Sequence, residues 1–191
     1  MKIGVLALQG AFAEHISVLN QLGVASLPVR SVQELANLDG LIIPGGESTT
    51  ISKLMVNYNF TSVIKERALA GFPIFGTCAG MILMASNVSD PDIEPLAIMD
   101  MEVKRNSFGR QRDSFHTRLA IPALGEKPFP CIFIRAPIVK KVNNGIENLA
   151  SLNDGSIVAV KQGRLLATSF HPELTSDLRF HQYFVNIISH N

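Results

Sequence analysis

The feature that most narrows the fold is a rhythm in the first half of the chain, where short unbroken apolar runs are each followed by a helical pattern. Ile3–Leu8 is apolar throughout, and Phe12, Ile16, Leu19 and Leu22 then recur at helical spacing until Gly23 stops them. Val24–Val29 reads as a second strand, and Ser31 caps a short helix through Leu38. Gly40–Ile43 is a third strand that ends at Pro44-Gly45-Gly46, after which Glu47-Ser48-Thr49-Thr50 opens a helix. Phe72–Phe75 is a fourth strand, with a helix over Cys78–Ser86. Strands covered on both faces read as continuous apolar runs, and strand–helix alternation builds a parallel sheet between helical layers.

The second half changes character. Met101–Lys104, Phe115–Ile121, Cys131–Ile134, Ile157–Lys161 and Leu165–Phe170 are strand-like and split by Gly, Pro and Asn turns, which suggests antiparallel additions or hairpins on one edge of the sheet. A last amphipathic helix carries Phe180, Tyr183, Phe184 and Ile187 on one stripe. No repeat, low-complexity segment or linker interrupts the 191 residues, so a single domain over 1–191 is expected. The expected class is α/β, a flavodoxin-like three-layer sandwich with a mostly parallel central sheet and antiparallel edge strands.

Composition removes several function classes. Lys+Arg less Asp+Glu is 17 − 16 = +1, which argues against a nucleic-acid surface or an electrostatic membrane anchor. With 47% hydrophobic residues and no block of like charge, disorder is excluded. Two cysteines, Cys78 and Cys131, are too few for a disulfide framework. Lys2, Ile3–Leu8 and Ala11-Phe12-Ala13 imitate a signal peptide, but Gln9-Gly10 cuts the apolar run short. The apolar run Phe72–Ala85 holds two glycines and falls short of the ~20 residues that cross a bilayer. A soluble, cytoplasmic protein is expected.

The chemistry concentrates at Gly76-Thr77-Cys78-Ala79-Gly80, a G-x-C-x-G sequence between a buried strand and an apolar helix. This is the cysteine form of the nucleophile elbow. Glycines flank the central residue because a sharp strand-to-helix turn leaves no room for a Cβ, and the helix N-terminus favours thiolate over thiol. A small buried cysteine in a Gly-rich turn is the plain alternative.

A thiol nucleophile needs a base and a group that orients the base. Ser169-Phe170-His171-Pro172-Glu173-Leu174 follows the last strand. In extended backbone His171 and Glu173 share a face, and Pro172 between them disfavours helix at His171. Glu173 then fixes the imidazole tautomer and stabilises the imidazolium. The other histidines, His15, His116, His181 and His190, default to helix surface, strand or tail. Gly45 and Gly46 follow a strand and precede a helix, so free amides there can face an oxyanion. A phosphate loop is excluded, since Gly-Lys-Ser/Thr is missing, and singly scattered Cys, His and Glu make a poor metal set. No metal and no cofactor are expected.

Pro44-Gly-Gly-Glu-Ser-Thr-Thr, Gly76-Thr-Cys-Ala-Gly-Met and His171-Pro-Glu-Leu, in that order, resemble the class I (triad) glutamine amidotransferases. More narrowly, Gly4-Val-Leu-Ala-Leu-Gln-Gly-Ala-Phe-Ala-Glu-His, Arg105-Asn-Ser-Phe-Gly-Arg-Gln and Phe133-Ile-Arg-Ala-Pro resemble the glutaminases that serve pyridoxal 5'-phosphate synthase. The resemblance implies that Cys78 attacks the side-chain amide of L-glutamine, with His171 as base and then acid and Glu173 as third member. It implies an oxyanion hole at Gly46 and Ala79, and substrate contacts at Gly46, Glu47, Ser48, Arg105, Ile134 and Arg135. A guanidinium at Arg105 or Arg135 suits an α-carboxylate. The implied partner is a (β/α)8-barrel synthase subunit that consumes the ammonia, and the first helix, with Glu14 and His15 polar, is a candidate contact surface for it. A DJ-1/PfpI-like cysteine hydrolase, the glutaminase subunit of another amidotransferase, and a non-catalytic module on the same fold are the alternatives.

Overall fold

A computed structural model describes residues 1–105, 114–143 and 145–190. In chain order the elements are β1 (Lys2–Leu6), α1 (Phe12–Gln21), β2 (Ala25–Val29), β3 (Gly40–Ile43), α2 (Ser48–Asn57), α3 (Phe60–Leu69), β4 (Ile74–Thr77) and α4 (Ala79–Met84). Then come β5 (Ala85–Val88), β6 (Met99–Lys104), β7 (Ser114–Leu119), β8 (Phe129–Ile134), β9 (Ile138–Val142), β10 (Glu147–Ser151), β11 (Ile157–Gln162), β12 (Leu165–Thr168) and α5 (Arg179–Ser189).

The main sheet runs β2-β1-β3-β4-β12-β11-β9-β6-β5, with β10 paired to β11. Its first five strands are parallel and in the order of flavodoxin-type sheets, and β11, β9 and β6 extend it antiparallel. Alternation along each strand sorts the core into two layers. Leu41, Ile43, Ile74, Leu165 and Ala167 pack towards Ile51, Met55, Phe60, Ile64 and Met81 on α2, α3 and α4. Ile42, Phe75 and Leu166 pack the other way, towards Leu19, Phe180, Phe184 and Ile188 on α1 and α5 and the β7–β8 residues Phe129 and Phe133. Each such side chain, fully buried, contributes ~1.5–3 kcal/mol.

The structure departs from the sequence reading in places. β7 and β8 form a separate two-stranded sheet rather than an addition to the main edge. β4 begins at Ile74 and runs on through Gly76 and Thr77, because both residues pair with β12 (Gly76 with Ala167, Thr77 with Thr168). The short helix after Ser31 is a single 3-10 turn, Val32–Leu35, closed by a Ser31–Glu34 capping box. α4 stops at Met84, since Ala85 enters β5 directly. β5, β9, β10 and α3 lack a strong apolar signature and carry no expectation above. β9 (Ile-Val-Lys-Lys-Val) and β10 (Glu-Asn-Leu-Ala-Ser) are short and polar on one side.

Candidate active site

Four parallel strands, β1, β3, β4 and β12, end at the same edge of the sheet, where open α/β sheets bind their ligands. Cys78 follows β4 with φ 50° and ψ −101°, a left-handed backbone that a non-glycine residue adopts only under constraint. Its amide is tied to the Thr168 carbonyl at 2.7 Å. The flanking glycines are sterically required. A Cβ on Gly76 would lie 2.6 Å from the Gly80 carbonyl carbon, and one on Gly80 would overlap the Ile43 carbonyl oxygen.

His171 leaves the end of β12, with its amide on the Ile132 carbonyl at 2.9 Å. Its Nδ1 stands 2.7 Å from Glu173 Oε1, and both side chains are buried. The extended His-Pro-Glu geometry expected from sequence is not what joins them. Pro172–Leu174 is a 3-10 turn, and the turn swings the carboxylate back beneath the ring. Burial alone would lower the His171 pKa. The neighbouring Cys78 side chain and the hydrogen bond and charge of Glu173 outweigh it and lift His171 to about 10. Burial would likewise raise Glu173, but the neighbouring His15 and the His171 bond hold it below its ordinary value. The pair is therefore an imidazolium–carboxylate pair at neutral pH, with the thiol group on the other side of the ring.

The Gly45-Gly46 loop closes over this group. A Cβ on Gly45 would lie 2.9 Å from His171 Nδ1 and 3.4 Å from Cys78 Cβ, so glycine alone permits this approach. The Gly45 amide donates to Thr77 Oγ1 at 3.0 Å, and its carbonyl accepts from the Ala11 amide at 2.9 Å. Because the peptide is planar and trans, the Gly46 N–H is directed away from α1.

A cavity of about 270 Å³ opens beside Cys78, lined by Gln9, Gly46, Glu47, Ser48, Cys78, Ala79, Ile82, Arg105, Ile134, Arg135 and His171. Every site residue expected from sequence is on this wall except Glu173, which lies beneath His171, and Gly45, whose amide is taken by Thr77 and does not face the cavity. Gln9 and Ile82 were missed, although Gln9 follows β1, at the same sheet edge as the other three strand ends. Glu47 caps α2 by accepting from the amides of Thr49 and Thr50. Its carboxyl is held at about 2, chiefly by the Thr50 hydroxyl bond. Arg105 spans Glu47 (2.7 Å), Asp90 (2.8 Å) and Thr49 (3.0 Å), so its guanidinium is already committed to two carboxylates. Of the Arg105–Gln111 motif, residues 106–111 lie outside the described residues. Arg135, at φ 42°, is the second strained residue of the wall.

Residues 5–190 match the SNO glutamine amidotransferase family. The chain belongs to that family. It is 55% identical to the pyridoxal 5'-phosphate synthase subunit PdxT of Herpetosiphon aurantiacus, over 98% of this chain and 100% of that one. Against the protein of the same name from Moorella thermoacetica the identity is 53%, with coverage of 98% and 100%. A crystal structure described as a glutamine amidotransferase superposes with a TM-score of 0.93 at 44% identity, covering 98% of both chains. PurLQS from Thermotoga maritima, at 15% identity, TM-score 0.70 and 97% coverage of both chains, shares the fold. Family membership decides against the DJ-1/PfpI-like alternative. Among the described residues, no helix is long and apolar enough to cross a membrane.

Two histidines of this glutamine amidotransferase stand where the sequence reading did not put them. His15 and His181 are both fully buried, not on helix surfaces. His15 Nδ1 lies 2.8 Å from His181 Nε2, and His15 Nε2 lies 3.1 Å from Thr77 Oγ1 and 3.5 Å from Glu173 Oε2. The signal was present in the helical spacing. His15 falls between Phe12 and Leu19 on the apolar stripe of α1, and His181 sits beside Phe180 and three residues before Phe184 on that of α5. His15 therefore cannot be part of an exposed contact surface on α1.

Proposed function

We propose that this chain is the glutaminase subunit of a pyridoxal 5'-phosphate synthase. It hydrolyses L-glutamine to glutamate and ammonia and passes the ammonia to the barrel subunit that builds the cofactor. The observation that carries the reading is the buried Cys78–His171–Glu173 arrangement at the mouth of a cavity the size of one amino acid.

In this mechanism His171 holds the proton taken from Cys78, and the Cys78 sulfur attacks the side-chain amide carbon of glutamine. The developing oxyanion takes hydrogen bonds from the Gly46 and Ala79 amides, each such donor being worth ~10²–10³ in rate. The His171 imidazolium gives its proton to the departing nitrogen, so ammonia leaves and a glutamyl thioester remains on Cys78. Water then attacks the thioester, with neutral His171 taking its proton, and glutamate departs as the thiol group is restored. Glu173 keeps Nδ1 protonated throughout, which leaves Nε2 for the transfers. Glu47, ionised down to about pH 2, supplies the negative partner for the substrate ammonium. Arg105 holds Glu47 in place, and Arg135 with the Ile134 carbonyl side of the wall receives the α-carboxylate and backbone of glutamine. We read 1–191 as one domain, and we place it in the cytoplasm, where the two free thiols stay reduced.

The test is glutamate formation by the chain with and without its cognate barrel subunit. Activity raised by the partner, lost in Cys78→Ala, and blocked by a glutamine-mimicking chloroketone that adds once to Cys78 is the expected result. Partner-stimulated ammonia release that survives Cys78→Ala would overturn the mechanism.

A further inference from the structure

Glu173 Oε1 is used by His171, but Oε2 is buried and accepts no direct hydrogen bond from a described residue. The N–H that approaches it belongs to His15, with Nε2 at 3.5 Å, while the same nitrogen lies 3.1 Å from Thr77 Oγ1. These partners fix the tautomers. A proton on His15 Nε2 faces both oxygens, so His15 Nδ1 accepts from His181 Nε2–H at 2.8 Å. The far nitrogen, His181 Nδ1, is then a lone pair, the buried atom that lacks a partner among the described residues. The opposite assignment would let the Thr77 hydroxyl donate to His15 Nε2, but it would turn a His15 lone pair towards a carboxylate and strand an N–H in the core, which costs more.

We infer that His15, braced by His181, is a positioning residue of the glutaminase reaction: it holds Glu173 from behind and, through Thr77, fixes the loop that carries the Gly46 amide. Thr77 Oγ1 makes the second half of that link, since it also accepts from the Gly45 amide at 3.0 Å. One imidazole thus touches the base side and the oxyanion side of the site at once. Its neutrality matters. Burial holds both rings below their ordinary pKa, so His15 orients Glu173 without competing with the His171 imidazolium for its charge. A lysine or arginine in this place would divert that charge.

The inference rests on the proposed triad, and its test separates the two. His15→Leu, His15→Gln and His15→Asn are compared in the complex with the barrel subunit, reading kcat and KM for glutamine. Glutamine places its amide nitrogen where Nε2 stood, whereas asparagine places its own near Nδ1. Positioning predicts that Leu and Asn lower kcat about ten- to a hundredfold with KM within about threefold, as misplacement of a catalytic group does. Gln is expected to restore most of the loss. Should His15→Leu not fold, the Gln and Asn pair decides by the same criterion. Equal kcat for Gln and Asn, or a folded His15→Leu within about twofold of the parent, overturns the inference. Cys78→Ala is run alongside. Residual activity there overturns the triad itself, while an inactive Cys78→Ala beside an unaffected His15→Leu overturns only the role of His15.

Discussion

The amide of Cys78 donates to the carbonyl of Thr168 at 2.7 Å, and the pairing of Thr77 with Thr168 continues the ladder to the last residue of both strands. This one bond sets the geometry of the site. β4 and β12 are far apart in sequence but adjacent in the sheet, so Cys78 leaving one and His171 leaving the other, the proposed nucleophile and base, emerge side by side. A shift of one residue would turn every side chain of β12 to the opposite face and carry His171 off the sheet edge.

The elbow is the tightest part of this arrangement. A Cβ on Gly80 would strike the Ile43 carbonyl, a backbone atom at the end of β3 that is held in the sheet. Gly80→Ala is therefore expected to cost at least ~2 kcal/mol, at the upper end of overpacking in a filled core. For a chain of this size that lowers Tm by roughly 4–8 °C. Thermal unfolding followed by circular dichroism measures it, and a Tm within a degree of the parent would show that β3 and α4 are not packed as described.

The two thiols differ in setting, and reagents should report it. Cys131 is buried between the sheets, and burial pushes its pKa up to about 12. Cys78 borders the cavity, with its Sγ 3.9 Å from the Ile134 carbonyl oxygen. Iodoacetamide at neutral pH is expected to alkylate Cys78 and leave Cys131 free while the protein is folded, as seen by peptide mass spectrometry. Modification of Cys131 at a comparable rate would contradict this.

The parallel half of the fold was legible because β1, β3 and β4 are buried on both faces and so are written as unbroken apolar runs. The proposed triad could be picked out because Gly76, Gly80 and Pro172 punctuate the chain around Cys78 and His171. What stayed hidden depends on tertiary pairing. The Glu173 carboxylate reaches His171 through a 3-10 turn that local pattern did not distinguish from extended chain. His15 and His181 come from opposite ends of the sequence and find each other only when α1 and α5 cover the same face of the sheet. Short strands such as β9 and β10, half polar and partly exposed, carry too little apolar periodicity to stand out.

Glu173→Gln isolates the orienting role of the carboxylate. The amide keeps the shape but removes the charge that stabilises the imidazolium, and it can present an N–H to Nδ1 so that the wrong tautomer is favoured. A fall in kcat of about 10³–10⁴ is expected, with glutamine binding nearly unchanged, in line with the same change in other triads. Steady-state kinetics in the complex with the barrel subunit checks it. A loss below tenfold would mean that His171 is oriented by something other than the 2.7 Å contact.

The pH dependence of stability follows from the same pair. His171 is raised from 6.5 to about 10 on folding, so its contribution is fully present below about pH 6.5 and is lost as pH rises through about 10. Glu173 is lowered from 4.5, so its contribution is present above that value and is lost as pH falls through the lower folded one. Between about pH 5 and 6.5 both act together. Cys131, raised to about 12, also favours unfolding at alkaline pH as the unfolded thiol ionises, but a variant that retains Cys131 shares that effect. The clean measurement is therefore the Tm difference between the parent and His171→Gln across pH 6–10. The gap should be widest near pH 6 and narrow steadily as pH rises. A gap that is constant or grows over this range would mean that His171 is neutral in the folded protein, and the proton given to the leaving nitrogen would have to come from elsewhere.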